Sequence, residues 1–235
     1  MRCTWLPLLR VGLWPLVRLP SSWLWRLSGM LAWLFAGNAL RSRREIARIN
    51  LGLCFPALTA DQRQRLLQAN LKATVMGLFD SLRAWYAPSW CLRGIADIDG
   101  LEYLATARKH GQGVVMLGSH MTSITLATRL LNEAIDEPVW IMKRPHNNAC
   151  IEAELDFRRR SYCQQTLDKR DAPALLAALA EGGAVSMAAD QDFNFQHAFL
   201  PFFGVPAATL VAVPSLARRS RAVVLPLWIR RKSNG

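Results

Sequence analysis

A short apolar run, Gly113-Val114-Val115-Met116-Leu117, leads through Gly118-Ser119 into His120, and an amphipathic helical pattern begins at once. The run is too short for a helix and shows no polar alternation, so it reads as a strand buried on both faces. The same unit recurs beyond Pro88. Strands are predicted over 113–118, 138–143, 184–189 and 222–229, with helices near 122–134, 148–160, 171–181 and 207–219. Short apolar strands separated by helices specify an α/β sheet joined by crossover connections. Such sheets keep their chemistry at the carboxyl ends of the strands, which is where the pattern puts His120. A histidine there can act as a general base toward an attacking hydroxyl; it can also be a packed, hydrogen-bonded strand-end residue.

The chain ahead of the sheet divides in two. Residues 1–40 hold Trp5, Trp14, Trp23, Trp25 and Trp33, five of the nine tryptophans, with Arg2, Arg10, Arg18 and Arg26 interspersed. The longest uncharged stretch, 27–40, falls short of the roughly 20 residues that a spanning helix needs. Pro7, Pro15 and Pro20 interrupt any continuous helix, and the mixing of apolar with charged residues is unlike a signal peptide. Tryptophan with arginine suits a bilayer interface, so a membrane-associating helical segment is predicted over 1–40. An amphipathic cap on the soluble core is the alternative. Arg41, Arg43, Arg44 and Arg48 follow, placed to meet anionic lipid. Residues 42–87 read as helical, with Thr59-Ala60-Asp61-Gln62 as a helix start.

The net charge of +12, carried mostly by arginine, suits nucleic acid, anionic lipid or acidic protein. No nucleic-acid-binding module is present in the pattern, so no nucleic-acid partner is expected. The five cysteines, Cys3, Cys54, Cys91, Cys150 and Cys163, show no pair at ligand spacing. That argues against a zinc site or a disulfide scaffold and favours reduced thiols.

A series of blocks then becomes specific by its order. Ile46-Ala47-Arg48-Ile49-Asn50-Leu51 and Cys54-Phe55-Pro56 precede the strand that leads to His120. Arg144-Pro145-His146-Asn147-Asn148, Asp190-Gln191-Asp192, Pro201-Phe202-Phe203-Gly204 and Ala207-Ala208-Thr209 follow it. In this order and spacing the chain resembles the lipid A late acyltransferases, the lauroyl/myristoyl transferase family of Gram-negative inner membranes. The resemblance implies a glycerolipid-acyltransferase-like sheet flanked by helices over 41–235. It also implies transfer of a fatty acyl chain from acyl carrier protein to a hydroxyl of a lipid A precursor. The implied location is the cytoplasmic face of the bacterial inner membrane, with a membrane surface as partner and no metal or organic cofactor. Relatives continue beyond the strand 222–229, so the resemblance further implies a domain truncated at its C-terminus.

Three site residues follow from the resemblance. His120 is the expected base. Arg159, within Phe157-Arg158-Arg159-Arg160, falls where the family uses an arginine, and a guanidinium suits phosphate or developing charge. Asp190, after the apolar run 184–189, is expected to position Arg159 or substrate. The chain departs from the family at Thr125, where His followed by four residues calls for Asp or Glu. An orienting carboxylate fixes the tautomer of a catalytic histidine and stabilises its imidazolium. A catalytically impaired relative that binds lipid or acyl carrier protein is therefore the alternative to an enzyme. Ser119, Thr122 or Ser123 is expected to cap the helix after His120, and Asn147 or Asn148 the next one. Phe193, Phe195, Phe199, Phe202 and Phe203 either line an acyl slot or fill the core.

Overall fold

The computed structural model describes residues 5–35, 41–137, 139–191 and 197–232. Its centre is a five-stranded parallel sheet built from β1 (Val114–Gly118), β2 (Trp140–Lys143), β3 (Thr166–Asp168), β4 (Ala184–Ala188) and β7 (Val223–Pro226). The spatial order is β3-β2-β4-β1-β7. Helices α6 (Ile124–Glu133), α7 (Ala149–Arg159) and α8 (Ala172–Ala180) carry the crossovers from β1 to β2, β2 to β3 and β3 to β4. From β4 the chain passes through an antiparallel hairpin, β5 (His197–Phe202) and β6 (Val205–Leu210), and α9 (Ala212–Ser220) to β7.

Side chains of β1 alternate between two cores. Val114 and Met116 pack with Leu104 and Ala107 of α5 (Leu101–Lys109) and with Leu131 of α6. Val115 packs on the other face with Leu179 of α8 and Val213 of α9. Both faces of the strand are thus covered, as a parallel sheet requires. The approach of α8 depends on Gly113, because a Cβ there would lie 2.1 Å from the Leu179 carbonyl oxygen.

A helical layer precedes the sheet. It comprises α1 (Leu6–Leu16), α2 (Ser21–Phe35), α3 (Arg41–Cys54) and the long α4 (Ala60–Tyr86). Thr59 caps α4 through a reciprocal capping box with Gln62, as the sequence predicted. Pro20 lies between α1 and α2, but Pro15 sits inside α1 rather than ending it. Val17 and Leu24 are fully buried; Leu24 packs with Leu67, Leu71, Met76 and Phe79 of α4. Each such aliphatic burial stabilises the fold by about 2 kcal/mol. The opposite faces of α1 and α2 leave Trp14, Trp23, Trp33, Leu8 and Val11 exposed. Among the described residues, no helix is long and apolar enough to cross a membrane.

Two joints lock the layers together. Arg10 of α1 pairs with buried Glu154 of α7, which also accepts from Arg158. Burial pushes the Glu154 carboxyl upward, but hydrogen bonds from Arg10 and Arg158 outweigh it, leaving the group below its ordinary range. Buried Arg129 of α6 donates to the carbonyl oxygens of Arg83 at 3.2 Å, Ala84 at 2.9 Å and Ala87 at 2.7 Å. The Arg83 carbonyl also accepts from the Ala87 amide, and the guanidinium supplies donors to the carbonyls that follow it at the end of α4.

Several expectations change. The predicted helix over 207–219 begins later, because 205–210 pairs with β5; cross-strand pairing overrides the helix preference of its alanines. Strand β3, of only three residues, carries too little pattern to be read from the sequence. The strand at 222–229 narrows to β7, although the Leu227 amide still donates to Leu117. Cys54, Cys91 and Cys163 are free, whereas Cys150 is disulfide-bonded, which spacing alone did not reveal.

Replacing Arg129 with Met removes the guanidinium donors from the Ala84 and Ala87 carbonyls and the ion pair from Glu133, which keeps only its hydrogen bond from Ser89. The expected cost is about 3 kcal/mol of unfolding free energy, measured by urea denaturation with an unchanged m-value.

Candidate active site

His120 and Asp190 occupy equivalent places on neighbouring strands. Strands β1 and β4 pair in parallel with Gly118 opposite Ala188, so each residue lies two positions beyond its strand's last partner. Parallel neighbours stand about 4.8 Å apart, which brings the two side chains within reach. The connections that leave β1 and β4 run to opposite faces of the sheet. They open a crevice at the carboxyl ends, the usual place for a ligand in an open α/β sheet.

Asp190 grips His120 twice. Its Oδ1 accepts from the ring Nδ1 at 2.5 Å, and its Oδ2 accepts from the His120 backbone N–H at 2.8 Å. Both side chains remain open to solvent, at 45% and 41% exposure, so the ring's Nε2 edge is available to a substrate. Partial burial alone pushes the Asp190 carboxyl upward. The two hydrogen bonds from His120 outweigh that, and the group titrates below its ordinary range. A carboxylate on Nδ1 fixes the tautomer with its lone pair on Nε2 and favours the imidazolium formed when Nε2 takes a proton.

The segment around His120 is held from below by α4. A Cβ on Gly77 would lie 2.5 Å from the Thr122 carbonyl oxygen, so only glycine allows the helix this close. One turn on, buried Asp80 accepts from the Ser123 hydroxyl at 2.8 Å and pairs with Arg231. Ser123 occupies the N-cap position of α6, but its hydroxyl serves Asp80 instead of capping the helix. Asn148, as expected, caps α7 by accepting from the amides of Cys150 and Ile151. Thr125 lies in the first turn of α6, and the ring nitrogen it would have to serve is already taken by Asp190.

Arg159 is placed elsewhere. It ends α7, lies 3.5 Å from Asp156 and leaves a buried Nη1 without a hydrogen-bond partner. It makes no contact with Asp190, which serves His120. The structure therefore joins two of the three predicted site residues and leaves the third apart. Sequence spacing missed the His120–Asp190 pair because 70 residues separate its members. The available signal was that each follows an apolar strand by the same offset; knowing that β1 and β4 are neighbours was the missing step. Lys143, Glu152 and Asp156 form a further cluster, with Lys143 at the carboxyl end of β2. Among the described residues, no group of His, Cys, Asp and Glu is gathered to hold a metal ion.

The motif order, the strand-end histidine and this fold agree with one family, and its model, described as bacterial lipid A biosynthesis acyltransferase, matches residues 2–235. The chain belongs to that family. It is 30% identical over 237 residues to a lipid A biosynthesis lauroyltransferase of Escherichia coli K12, covering 98% of this chain and 76% of that protein. It is 32% identical to a lipid A biosynthesis palmitoleoyltransferase of the same organism, covering 98% and 75% of the two chains. A lipid A biosynthesis acyltransferase of Haemophilus influenzae is 31% identical, again with 98% and 75% covered. This chain is accordingly an acyltransferase of lipid A biosynthesis, and the family implies a lipid A precursor as acceptor.

Two predictions follow from the site. Asp190→Asn should cut turnover by about 10²- to 10⁴-fold with little change in KM, measured by steady-state acyl transfer. Because the folded carboxyl is held low, its stabilisation is complete above the ordinary carboxylate pKa and is lost as pH falls through the lowered value. The variant should therefore show a shallower acid limb in thermal unfolding against pH. Gly77→Ala should displace the Thr122 backbone and with it His120. Its stability cost should be about 1 to 3 kcal/mol, with activity falling further than the folded fraction in the same samples.

Proposed function

We propose that this acyltransferase moves a fatty acyl chain from acyl carrier protein to a hydroxyl of a lipid A precursor at the cytoplasmic face of the bacterial inner membrane. The observation that carries the proposal is the double hydrogen bond between Asp190 and His120. With Nδ1–H held by the carboxylate, Nε2 takes the proton of the acceptor hydroxyl as its oxygen attacks the thioester carbonyl. The tetrahedral oxyanion collapses, the carrier thiolate leaves, and the imidazolium returns the proton to it. Asp190 stabilises the cation throughout. Arg159, ion-paired with Asp156 and apart from the His120–Asp190 pair, is a cation suited to a substrate phosphate rather than to the oxyanion.

An acidic carrier protein matches the net charge of +12. The exposed Trp14, Trp23 and Trp33 on α1 and α2, with arginines beside them, support membrane association of 1–40. A hollow of about 500 Å³ between α3 and α4, lined in part by Ile46, Leu51, Phe55 and Leu71, is of a size to take an aliphatic chain. Its Thr74 lies three residues, a rise of about 4.5 Å, before Gly77 on α4. Asp190 offers the ring the carboxylate that Thr125 does not, which favours an enzyme over an impaired relative.

The deciding experiment follows a labelled acyl group from acyl carrier protein to a lipid A precursor, for this chain and for His120→Ala. Turnover should fall by at least about 10²-fold in the variant, with its circular dichroism unchanged. Equal turnover by a folded variant overturns the proposal.

A further inference from the structure

The hairpin β5–β6 turns on a residue type that its backbone conformation disfavours. Phe202 pairs with Val205, so Phe203 and Gly204 form a two-residue turn, with φ of 50° and 77°. Asn or Gly holds such left-handed positions with little strain, and an aromatic side chain does not. Yet the Phe203 side chain is not bought into the core: it is 53% exposed, beside Phe202 at 60% and Phe199 at 68%. Phe199 and Phe202, three residues apart, project from opposite faces of the ribbon. A two-stranded ribbon with exposed aromatics on both faces is marginal in water, and exposed aromatics of this kind mark a binding surface. The Phe203 ring also meets Phe55 edge-on at 5.1 Å, just past the end of α3. Helix α3 itself exposes Leu53 and Ile49 and carries Arg43 and Arg44 in its first turn.

We propose that this hairpin dips into an anionic lipid bilayer, its phenylalanines among the acyl chains and the α3 arginines at the headgroup phosphates. A protein partner covers one face of a ribbon, whereas a bilayer surrounds both, which matches aromatics on both sides. The arginines supply the charge complement to anionic headgroups. The hairpin thereby deepens the membrane-surface reading given above, adding a second contact to that of α1 and α2.

The test titrates the full chain with vesicles of phosphatidylethanolamine and phosphatidylglycerol and measures partitioning by co-sedimentation. Phe199→Ser with Phe202→Ser should lower the partition coefficient about tenfold or more. Phe203→Asn should also lower it while leaving thermal stability equal or higher, because Asn suits the left-handed turn. That variant separates lost lipid contact from lost folding. If the unaltered chain ignores vesicles, the membrane reading and this inference fall together. If it binds and the variants bind equally, the inference alone falls. Loss of acyl carrier protein binding by the variants, with vesicle binding unchanged, also overturns it in favour of a protein surface.

Discussion

The close approach of α4 to the start of α6, permitted by the bare Cα of Gly77, is the constraint around which the molecule is arranged. On one side α4 buries the apolar faces of α1, α2 and α3. On the other it meets the Thr122 backbone, and its Asp80 engages Ser123. Arg129 returns from α6 to close the carboxyl end of α4. A helix–helix contact at backbone distance thus fixes where α6 begins, and His120 lies immediately before it. The same helix ties the tryptophan-rich layer to the sheet, so α1, α2 and the His120–Asp190 pair share one rigid support.

The electrostatics around that support are divided by role. Glu154 is deeply buried and satisfied by two guanidinium groups, an arrangement that fixes the position of α1 against α7. Asp190 is half-exposed and satisfied by a single residue through two different donors. The first holds helices together; the second holds a ring in one orientation while leaving its far edge to solvent. Partial exposure weakens the Coulombic worth of the second pair but keeps the imidazole accessible, which a base requires.

Much of this was legible from the residues. The central strands, the helices between them, the Thr59 cap and the Asn148 cap all follow from local pattern, because each is determined within a few residues. The departures arise where the decisive partner is distant. Ala207-Ala208-Thr209 favours a helix in isolation but pairs with β5, and Phe199, Phe202 and Phe203 face outward on that ribbon rather than filling the core. Thr125 suggested a histidine without a carboxylate, because the motif looks only five residues ahead. The carboxylate instead arrives from β4, through strand order that no local pattern encodes. Phe193 and Phe195 lie outside the described residues. Arg159 was found by position among three arginines, and the fold gives it a separate neighbourhood.

The alignment of Gly118 with Ala188 has one more consequence. Asp190 can reach both the ring and the backbone of His120 only in that register; a slip of one residue would turn every side chain of one strand to the wrong face. The helices can form before this alignment exists, but the His120–Asp190 pair cannot. On the proposed mechanism, return of acyl transfer after dilution from denaturant should time the zipping of β1 to β4, a long-range closure, and lag behind the recovery of helical signal.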